Sequence, residues 1–324
     1  MGASLVSVVV PCHNETLSLP VFLDAVEDVA ARAASAHLGA SLELIMVDDG
    51  STDATLEVMR RAADTRETDS LRIRWLSFSR NFGKEAALLA GLRAARGDFV
   101  AVMDADMQDP PELLLSMLDL LLVSGGELDC VAARRVSRAG EPRLRALASG
   151  AFYGVMRRLT GMDIPDGARD FRLMTRPMVD AVLSMPERSR FTKGILAWVG
   201  FRTAWLEYED VERAAGTSNW SVWQLFAYAF EGIVAFSTVP LAVASVIGVL
   251  LALASVVALL FIVVRALLFG DPVAGWPSLA CIVIFIGGLQ LMGLGIIGQY
   301  LAKTYTETKR RPLYFVRSSS DELP

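Results

Sequence analysis

Two aspartates separated by one residue, Asp104 and Asp106, carry the clearest chemical signal in the chain. They follow the apolar run 99–103, which has the pattern of a buried strand, and Gln108 lies two residues further on. Carboxylate and amide oxygens with few nitrogen donors favour Mg²⁺ or Mn²⁺. Such an ion would bridge a diphosphate and neutralise a phosphate leaving group. The pattern therefore predicts a divalent-metal site at Asp104, Asp106 and Gln108.

Polar residues also follow three other apolar runs that have the pattern of buried strands. The polar segments are 11–15, 48–53 and 79–85, and they follow the runs 6–10, 42–47 and 72–78. In open parallel sheets, ligands bind beyond the carboxyl ends of the strands. Any one segment could simply cap a helix, and we expect that role for Thr52 and Asp53. Because all four strands end in polar groups, the sequence indicates a ligand site at one edge of a sheet.

Helical periodicity separates these strands and predicts the fold that positions the polar groups. The predicted helices begin near residue 19 and cover residues 53–63, 84–95 and 112–123. Strands and helices in alternation are typical of an α/β domain. We therefore expect a mostly parallel sheet flanked by helices.

Two long stretches without charge predict membrane-spanning helices. No charged residue occurs between Glu231 and Arg265, nor between Asp271 and Lys303. Each stretch exceeds the roughly 20 apolar residues needed to cross about 30 Å of hydrocarbon. We predict transmembrane helices at about residues 237–265 and 277–302. The alternative, two buried core helices, would need a larger domain to cover them.

The charges that flank these stretches predict their orientation. The tail carries a cluster of basic residues: Lys303, Lys309, Arg310, Arg311 and Arg317. The loop between the two spans offers Asp271 and, at its edge, Arg265. The apolar run 6–10 is short and leads into Pro11, so it does not resemble a signal peptide. The positive-inside rule then predicts a multi-pass protein of the cell (inner) membrane, with the catalytic domain and both termini cytoplasmic.

The segment before the first span, residues 213–236, carries aromatic residues at helical spacing. Trp220, Trp223, Ala227 and Phe230 fall on one face of a helix. This pattern favours a helix that lies in the membrane interface. The alternative is that these residues form the first turns of the first span.

Composition excludes several classes of protein. With 53% hydrophobic residues, the chain is neither disordered nor typical of a wholly soluble protein. A net charge of −5 argues against nucleic acid as a partner, which would require a basic surface. The three cysteines lack metal-type spacing and indicate a reducing compartment. Because the chain has only two histidines, it has little capacity for histidine-rich metal chemistry.

These motifs together resemble those of the family-2 glycosyltransferases of GT-A fold. Within that family, the chain resembles the polyprenyl-phosphate glycosyltransferases, the group that contains dolichyl-phosphate mannose synthase and bacterial two-span glucosyltransferases. The matching features are Pro11-x-x-Asn14-Glu15, segments 48–53, 79–85 and 104–111, Asp170-Phe-Arg-Leu173, Arg213-x-x-Gly216-x-Ser218, the two spans and the closing segment 309–314. The resemblance implies a GT-A domain at residues 1–212, an interfacial segment at 213–236, two spans at 237–303 and a basic cytoplasmic tail at 304–324.

The resemblance implies transfer of a sugar from a nucleotide-sugar to membrane polyprenyl phosphate, with inversion at the anomeric carbon. For the nucleotide-sugar it implies Pro11, His13, Glu15, Val47, Asp48, Asp49, Asp104 and Gln108, with Val47 and either Asp48 or Asp49 at the base and ribose. For the metal, Mg²⁺ or Mn²⁺, it implies Asp104, Asp106 and Gln108. For the acceptor phosphate it implies Arg135, Arg138, Arg213 and Ser218. The implied catalytic set is Asp104, Asp106, Asp170, Arg135 and Arg213.

One position departs from the family pattern. Asn219 stands where the familiar motif has a lysine after Ser218. An amide supplies no charge, so Arg213 is left with more of the phosphate binding. A phosphate monoester is already largely dianionic at neutral pH and needs no general base. We therefore expect Asp170 to position an arginine or a sugar hydroxyl rather than to remove a proton.

Simpler roles remain open for several of these charged residues. Asp170 could form a salt bridge to Arg169 or Arg172, and Arg134, Arg135 and Arg138 could be a solvated run of charge. Lys84 could touch the diphosphate, or it could cap a helix or form a surface ion pair.

Two other functions compete with the principal one. A polysaccharide synthase of this fold would need more spans and a Gln-x-x-Arg-Trp motif, and the sequence has neither. A non-catalytic membrane scaffold would not need the intact acidic and arginine motifs. The predicted partners are the nucleotide-sugar, polyprenyl phosphate and the lipid bilayer, while a homo-oligomer, the sugar and the choice of UDP or GDP stay open. UDP-glucose is the first choice because the two-span architecture resembles enzymes that make glucosyl carriers.

Overall fold

A computed structural model describes residues 4–35, 39–135, 168–208, 239–269 and 275–321. The chain divides into two units. The sheet unit comprises residues 1–222 together with 311–324, and the helical unit comprises residues 223–310.

The first part of the sheet unit alternates strands and helices, as predicted. Its elements are β1 (Ser4–Cys12), α1 (Leu19–Ser35), β2 (Ala40–Asp48), α2 (Thr55–Thr65), β3 (Leu71–Phe78), α3 (Lys84–Ala94), β4 (Phe99–Val102) and α4 (Leu113–Val123). Helix α2 begins two residues later than expected. The Asp53 carboxylate accepts the N–H of Thr55 at 3.0 Å, so Asp53 satisfies a donor at the helix start, as expected for a capping residue.

The second part of the sheet unit adds further strands and two short helices. They are β5 (Cys130–Arg135), β6 (Ala168–Thr175), α5 (Arg176–Ser184), α6 (Thr192–Trp198), β7 (Thr203–Tyr208) and β8 (Val316–Ser319). The described strands form one sheet in the order β7-β5-β6-β4-β1-β2-β3-β8. Its central strands β4, β1, β2 and β3 run parallel, whereas β6 and β8 run antiparallel to their neighbours. The predicted mostly parallel α/β sheet is confirmed.

Burial on both faces explains why the sequences of the central strands are continuous apolar runs. Val8, Val9, Leu44 and Ile45 have no exposed surface, because helices cover both faces of the sheet. Apolar burial of this kind contributes roughly 25 cal/mol per Å² and makes the sheet a rigid platform. The polar segments that follow each strand are thereby held at one edge.

The antiparallel direction of β6 brings a distant segment to this edge. Arg172 of β6 pairs with Val102, the last residue of β4. Asp170, two residues earlier, therefore lies beyond the carboxyl end of β4, where Asp104 follows that strand. Residues 66 positions apart in sequence are in this way brought to one place.

The predicted basic tail, residues 304–324, begins in a helix and ends in the sheet unit. Residues up to Lys309 are helical, and from Arg311 the chain belongs to the sheet unit, where β8 pairs antiparallel with β3. The Tyr314 ring stacks on Phe78 with ring centroids 4.9 Å apart. The Asp321 carboxylate lies 2.8 Å from the Arg74 guanidinium. The basic, serine-rich sequence of the tail does not predict a strand. These aromatic and ionic contacts hold the segment against β3.

The helical unit contains α7 (Val239–Phe269) and α8 (Trp276–Lys309) in the described residues. The two predicted apolar helices are therefore present, and α8 continues beyond residue 302. Val239–Ala258 and Phe285–Lys309 have mean hydropathies of 2.7 and 1.4 and are long and apolar enough, by length and composition, to cross a membrane. The proposed interfacial segment, 213–236, lies outside the described residues.

Candidate active site

A chain of alternating charges crosses the carboxyl edge of the sheet. Lys84, the first residue of α3, places its Nζ atom 2.7 Å from Oδ1 and 2.9 Å from Oδ2 of Asp104. The same Nζ atom lies 2.7 Å from Oδ2 of Asp170, whose Oδ1 is 3.4 Å from Nζ of Lys193. We call Asp104, Lys84, Asp170 and Lys193 the charge chain. It joins α3, β6, α6 and the loop after β4.

The charge chain shows which groups two of its members, Asp170 and Lys84, contact. Asp170 pairs with lysines rather than with Arg169 or Arg172, and the Arg172 guanidinium instead contacts the backbone carbonyl of Asp170 at 3.4 Å. Lys84 forms ion pairs with Asp104 and Asp170, and its possible contact with a diphosphate stays a prediction.

Burial and neighbouring charges shift the ionisation of this chain. Burial raises the pKa of Asp104, and although the Lys84 ammonium opposes the shift, Asp170 and Asp106 reinforce it. Burial also acts to raise the pKa of Asp170, but the ammonium groups of Lys193 and Lys84 hold this pKa well below its usual range. The pKa of Lys84 is raised, because the attraction of Asp104 and Asp170 outweighs its burial. Lys84 and Asp170 are thus both charged at neutral pH.

A tight turn carries the second carboxylate of the Asp-x-Asp motif. The Gln108 backbone N–H donates to Oδ1 of Asp106 at 3.1 Å, and Met107 between them has a φ of 59°. A positive φ is uncommon in a residue other than glycine and concentrates at functional sites. The turn holds the Asp106 carboxylate just beyond the edge of the sheet.

A second set of contacts fixes the end of this turn, and sequence reasoning missed it. Arg169 donates from Nη2 to Oε1 of Gln108 at 2.8 Å and lies with Nε 2.9 Å from Oδ1 of Asp109. The Tyr208 hydroxyl also donates to Asp109, which is 3% exposed. These partners come from β6 and β7, far along the chain, so no local sequence pattern predicts their contacts with the turn. Together they hold the turn against the strands beside it.

The residues of this turn fit a divalent cation that a substrate also helps to hold. Among the described residues, no group of three or more histidine, cysteine or acidic side chains could hold a metal ion alone. Magnesium, however, is commonly bound through one or two carboxylates together with substrate phosphates. Asp104 and Asp106 supply such carboxylates, and the Lys84 ammonium on Asp104 shows that the place attracts positive charge. The Oε1 atom of Gln108, the predicted third ligand, already accepts one hydrogen bond from Arg169.

The predicted nucleotide-binding residues of β1 lie against the loops after β2 and β3. His13 forms a hydrogen bond from Nδ1 to the backbone oxygen of Asp49 at 3.0 Å, and Asn81 lies 3.2 Å from its Nε2 atom. Glu15 accepts a hydrogen bond from the Ser18 hydroxyl. Burial raises the pKa of the Glu15 carboxyl, and the charges of Asp106 and Asp104 raise it further. His13 and Glu15 thus belong to the same edge as the Asp-x-Asp motif.

The two aspartates after β2 hold neighbouring loops through their carboxylates. Asp48 accepts the N–H of Ser51 at 2.9 Å and the hydroxyl of Ser77 at 2.7 Å. Asp49 accepts the N–H groups of Phe82 at 2.6 Å and Gly83 at 2.9 Å. Both carboxylates are therefore engaged with the protein, and their predicted contact with base and ribose stays a prediction.

Two apolar residues of the predicted nucleotide site form part of the sheet itself. Pro11 of β1 pairs with Val47 of β2. The Val47 side chain is fully buried and faces Gly91 of α3, where an added Cβ would lie 3.3 Å from it. Because this side chain lies in the core, only the backbone of Val47 could reach a nucleotide.

Of the residues predicted to bind the acceptor phosphate, Arg135 lies in the part of the chain that the structure describes. It is the last residue of β5 and pairs with Tyr208 of β7, while Arg134 pairs with Ala168 of β6. This register places Arg135 at the same edge of the sheet as Asp170. The predicted roles of Arg138, Arg213 and Ser218, and the departure at Asn219, fall outside the described residues.

The fold and this acidic edge agree with the family to which the chain belongs. Residues 7–183 match Glycosyl transferase family 2, which is more than half of the chain. The protein is therefore a member of glycosyl transferase family 2.

Several individual proteins of this family are similar to the chain over nearly its whole length. It is 38% identical over 314 residues to the SfII prophage-derived bactoprenol glucosyl transferase of Shigella flexneri, covering 97% of this chain and 98% of the relative. It is also 38% identical over 317 residues to the bactoprenol glucosyl transferase of Shigella phage SfV, covering 98% and 99%. Among solved structures, glucosyl-3-phosphoglycerate synthase from Mycobacterium tuberculosis matches with a TM-score of 0.45 and 22% identity, covering 71% of this chain and 78% of that chain.

Proposed function

We propose that the protein transfers a sugar from a nucleotide-sugar to membrane polyprenyl phosphate, with inversion at the anomeric carbon. The observation that carries this proposal is the match to bactoprenol glucosyl transferases over 97% of the chain. A match of that extent includes the apolar helices as well as the glycosyl transferase domain. It therefore supports a lipid-linked acceptor of the kind those relatives are named for.

The donor would bind at the carboxyl edge of β1, β2 and β4. Asp104 and Asp106 would hold Mg²⁺ or Mn²⁺ together with the donor diphosphate, with Gln108 nearby. When bound, such an ion supplies positive charge to the diphosphate leaving group. Pro11, His13, Glu15, Val47, Asp48 and Asp49 would line the nucleotide.

The acceptor requires positive charge rather than a base. A phosphate monoester has a second pKa near ~6 and is largely dianionic at neutral pH, so it can attack without losing a proton. Lys84, Lys193 and Arg135 place cations at this edge. Asp170 is held ionised by two lysines, which makes it a weak base and favours a positioning role.

The pairing of β8 with β3 supports the proposed topology. Residues before α7 and after α8 form one sheet, so both must lie on the same side of any membrane that these helices cross. Two spans meet that requirement. By the positive-inside rule, the basic residues near the end of α8 support a cytoplasmic location for this side. A reporter fused to the C-terminus should be active in the cytoplasm, and activity only outside it would refute this topology.

UDP-glucose is the donor to test first, because both of the relatives named above are glucosyl transferases. The purified full-length chain is incubated with polyprenyl phosphate, Mg²⁺ and a panel of UDP- and GDP-sugars, and the lipid product is identified by mass spectrometry. We expect a polyprenyl-phosphate hexose that is absent with Asp104→Asn. Release of free sugar without any lipid product from every donor would contradict the proposed function.

A further inference from the structure

Lys84 places a positive charge where the proposed function requires a divalent cation. Its Nζ atom lies within 2.9 Å of both carboxylate oxygens of Asp104, the first residue of the Asp-x-Asp motif. A carboxylate that is bonded in this way by an ammonium retains little free charge for a metal. Lys84 and a metal ion must therefore compete for Asp104.

We propose, resting on the proposed function, that Lys84 is an internal counter-cation that leaves Asp104 when metal and nucleotide diphosphate bind together, and then pairs with the diphosphate. In the ligand-free protein the ammonium group neutralises two carboxylates that would otherwise repel each other. In the ligand-bound protein the same group neutralises the phosphates. One side chain thus serves two anionic partners in turn.

The surroundings of Lys84 permit this exchange. Its side chain is 42% exposed, and it ends a flexible stem at the first residue of α3. Asp170 would keep a cation when Lys84 moves, because the Lys193 ammonium lies 3.4 Å from its other oxygen. The movement therefore leaves neither carboxylate uncompensated: Asp104 gains the metal, and Asp170 retains Lys193.

The exchange has a thermodynamic consequence that a static structural role would not have. Metal binding alone must displace Lys84 and leave its ammonium facing another positive ion. When a diphosphate is present, the displaced ammonium has a new anionic partner. Metal and nucleotide should therefore bind cooperatively, and by linkage each should raise the affinity of the other by the same factor.

The experiment measures Mn²⁺ binding to the full-length protein by electron paramagnetic resonance, without nucleotide and with UDP or GDP. We expect Lys84→Met to bind Mn²⁺ alone roughly 10-fold more tightly than the unmodified protein, and to lose a similar factor of the nucleotide-dependent enhancement. Lys84→Arg, which keeps the charge, should retain the enhancement. If Lys84→Met does not fold, Lys84→Gln removes the charge while preserving hydrogen bonds to the carboxylates.

Arg61→Met is the control for loss of a cation, because Arg61 is exposed on α2 and does not belong to the charge chain. It should change the affinity for Mn²⁺ alone by no more than about twofold, as expected for a residue outside the direct contact. Undiminished coupling in Lys84→Met and Lys84→Gln, or the absence of any Mn²⁺ binding, overturns the inference. Because these titrations contain no polyprenyl phosphate, failure of lipid glycosylation would refute the proposed function while leaving this result intact.

Discussion

Tyr314 and Phe78 lie face to face, with ring centroids 4.9 Å apart and ring planes inclined by only 13°. The two residues are separated by more than two-thirds of the chain. Their contact, followed by the hydrogen bond from the Ser79 N–H to the Phe315 carbonyl at 3.0 Å, fastens the C-terminal segment to the end of β3. The loop that begins there leads directly to Gly83 and Lys84, so this contact supports one side of the candidate active site.

We expect Tyr314→Ala to lower the stability of the sheet unit by about 1–2 kcal/mol, because it removes a stacked aromatic pair and half-buried apolar surface. The Michaelis constant for the nucleotide-sugar should rise as well, since the loop after β3 loses a support. Thermal melting and initial rates of the full-length protein measure both effects. Tyr314→Phe keeps the ring and should behave like the unmodified protein, and equal loss in the two variants would show that stacking is not the cause.

Asp106→Asn should lower turnover by ~10²–10³, the usual effect of removing one strong electrostatic contact at a reacting phosphate. The asparagine keeps the shape of the turn but lacks the charge that would hold a divalent cation. Initial rates at saturating Mg²⁺ provide the measurement, with exposed Asp64→Asn as the control for a lost surface charge. Near-normal turnover of Asp106→Asn in the presence of a chelator would disprove the metal assignment.

Arg135→Ala should raise the Michaelis constant for polyprenyl phosphate by ~10–100-fold, the range for a lost hydrogen bond to a charged group. Arg134, the neighbouring residue, alternates to the other face of the strand and lies 3.4 Å from Glu207. Arg134→Ala is therefore the matched control and should have the smaller effect. The reverse order of effects would exclude Arg135 from the acceptor site.

Tyr208→Phe should destabilise the sheet unit by ~1–3 kcal/mol, because the buried Asp109 carboxylate loses a hydrogen bond. Arg169 remains on Asp109, so the protein should still fold. Thermal melting measures the loss. An unchanged melting temperature would mean that the hydroxyl contributes little, and that Arg169 alone satisfies Asp109.

The stability of the sheet unit should fall at low pH partly through Asp53. Although burial opposes the shift, hydrogen bonds from Thr16 and Thr55 lower the pKa of Asp53 to about 2. A carboxyl whose pKa is depressed in the folded state stabilises that state above its ordinary value of about 3.9, and this contribution is lost as the pH falls towards 2. The difference in melting temperature between the unmodified protein and Asp53→Asn should therefore shrink from pH 5 to pH 2. A constant difference would contradict this account.

The sequence predicted the four central strands, β1 to β4, well because they are largely buried on both faces. Val8 and Ile45 belong to runs whose apolar character is continuous, and the polar group that ends each run marks the edge of the sheet. The Asp-x-Asp motif could be placed at this edge for the same reason. A local sequence pattern is sufficient to predict a feature that depends on a single strand and the residues that follow it.

The charge chain and β8 could not be predicted in this way. Lys84, Asp170 and Lys193 lie on three different elements, and only the register of β6 brings Asp170 to the end of β4. Strand β8 is four residues long and has no fully buried residue, so its own sequence carries little strand signal. Its position follows from contacts with β3 that span most of the chain.

The strand order also has a consequence for biosynthesis. The edge strand β8 follows both apolar helices in the chain, so the ribosome makes it after them. At typical synthesis rates, the nascent edge of β3 waits roughly 10–50 s for its partner. During that interval β3 exposes unpaired backbone groups of the kind that promote aggregation. The sheet unit can therefore complete its fold only after both apolar helices have been synthesised.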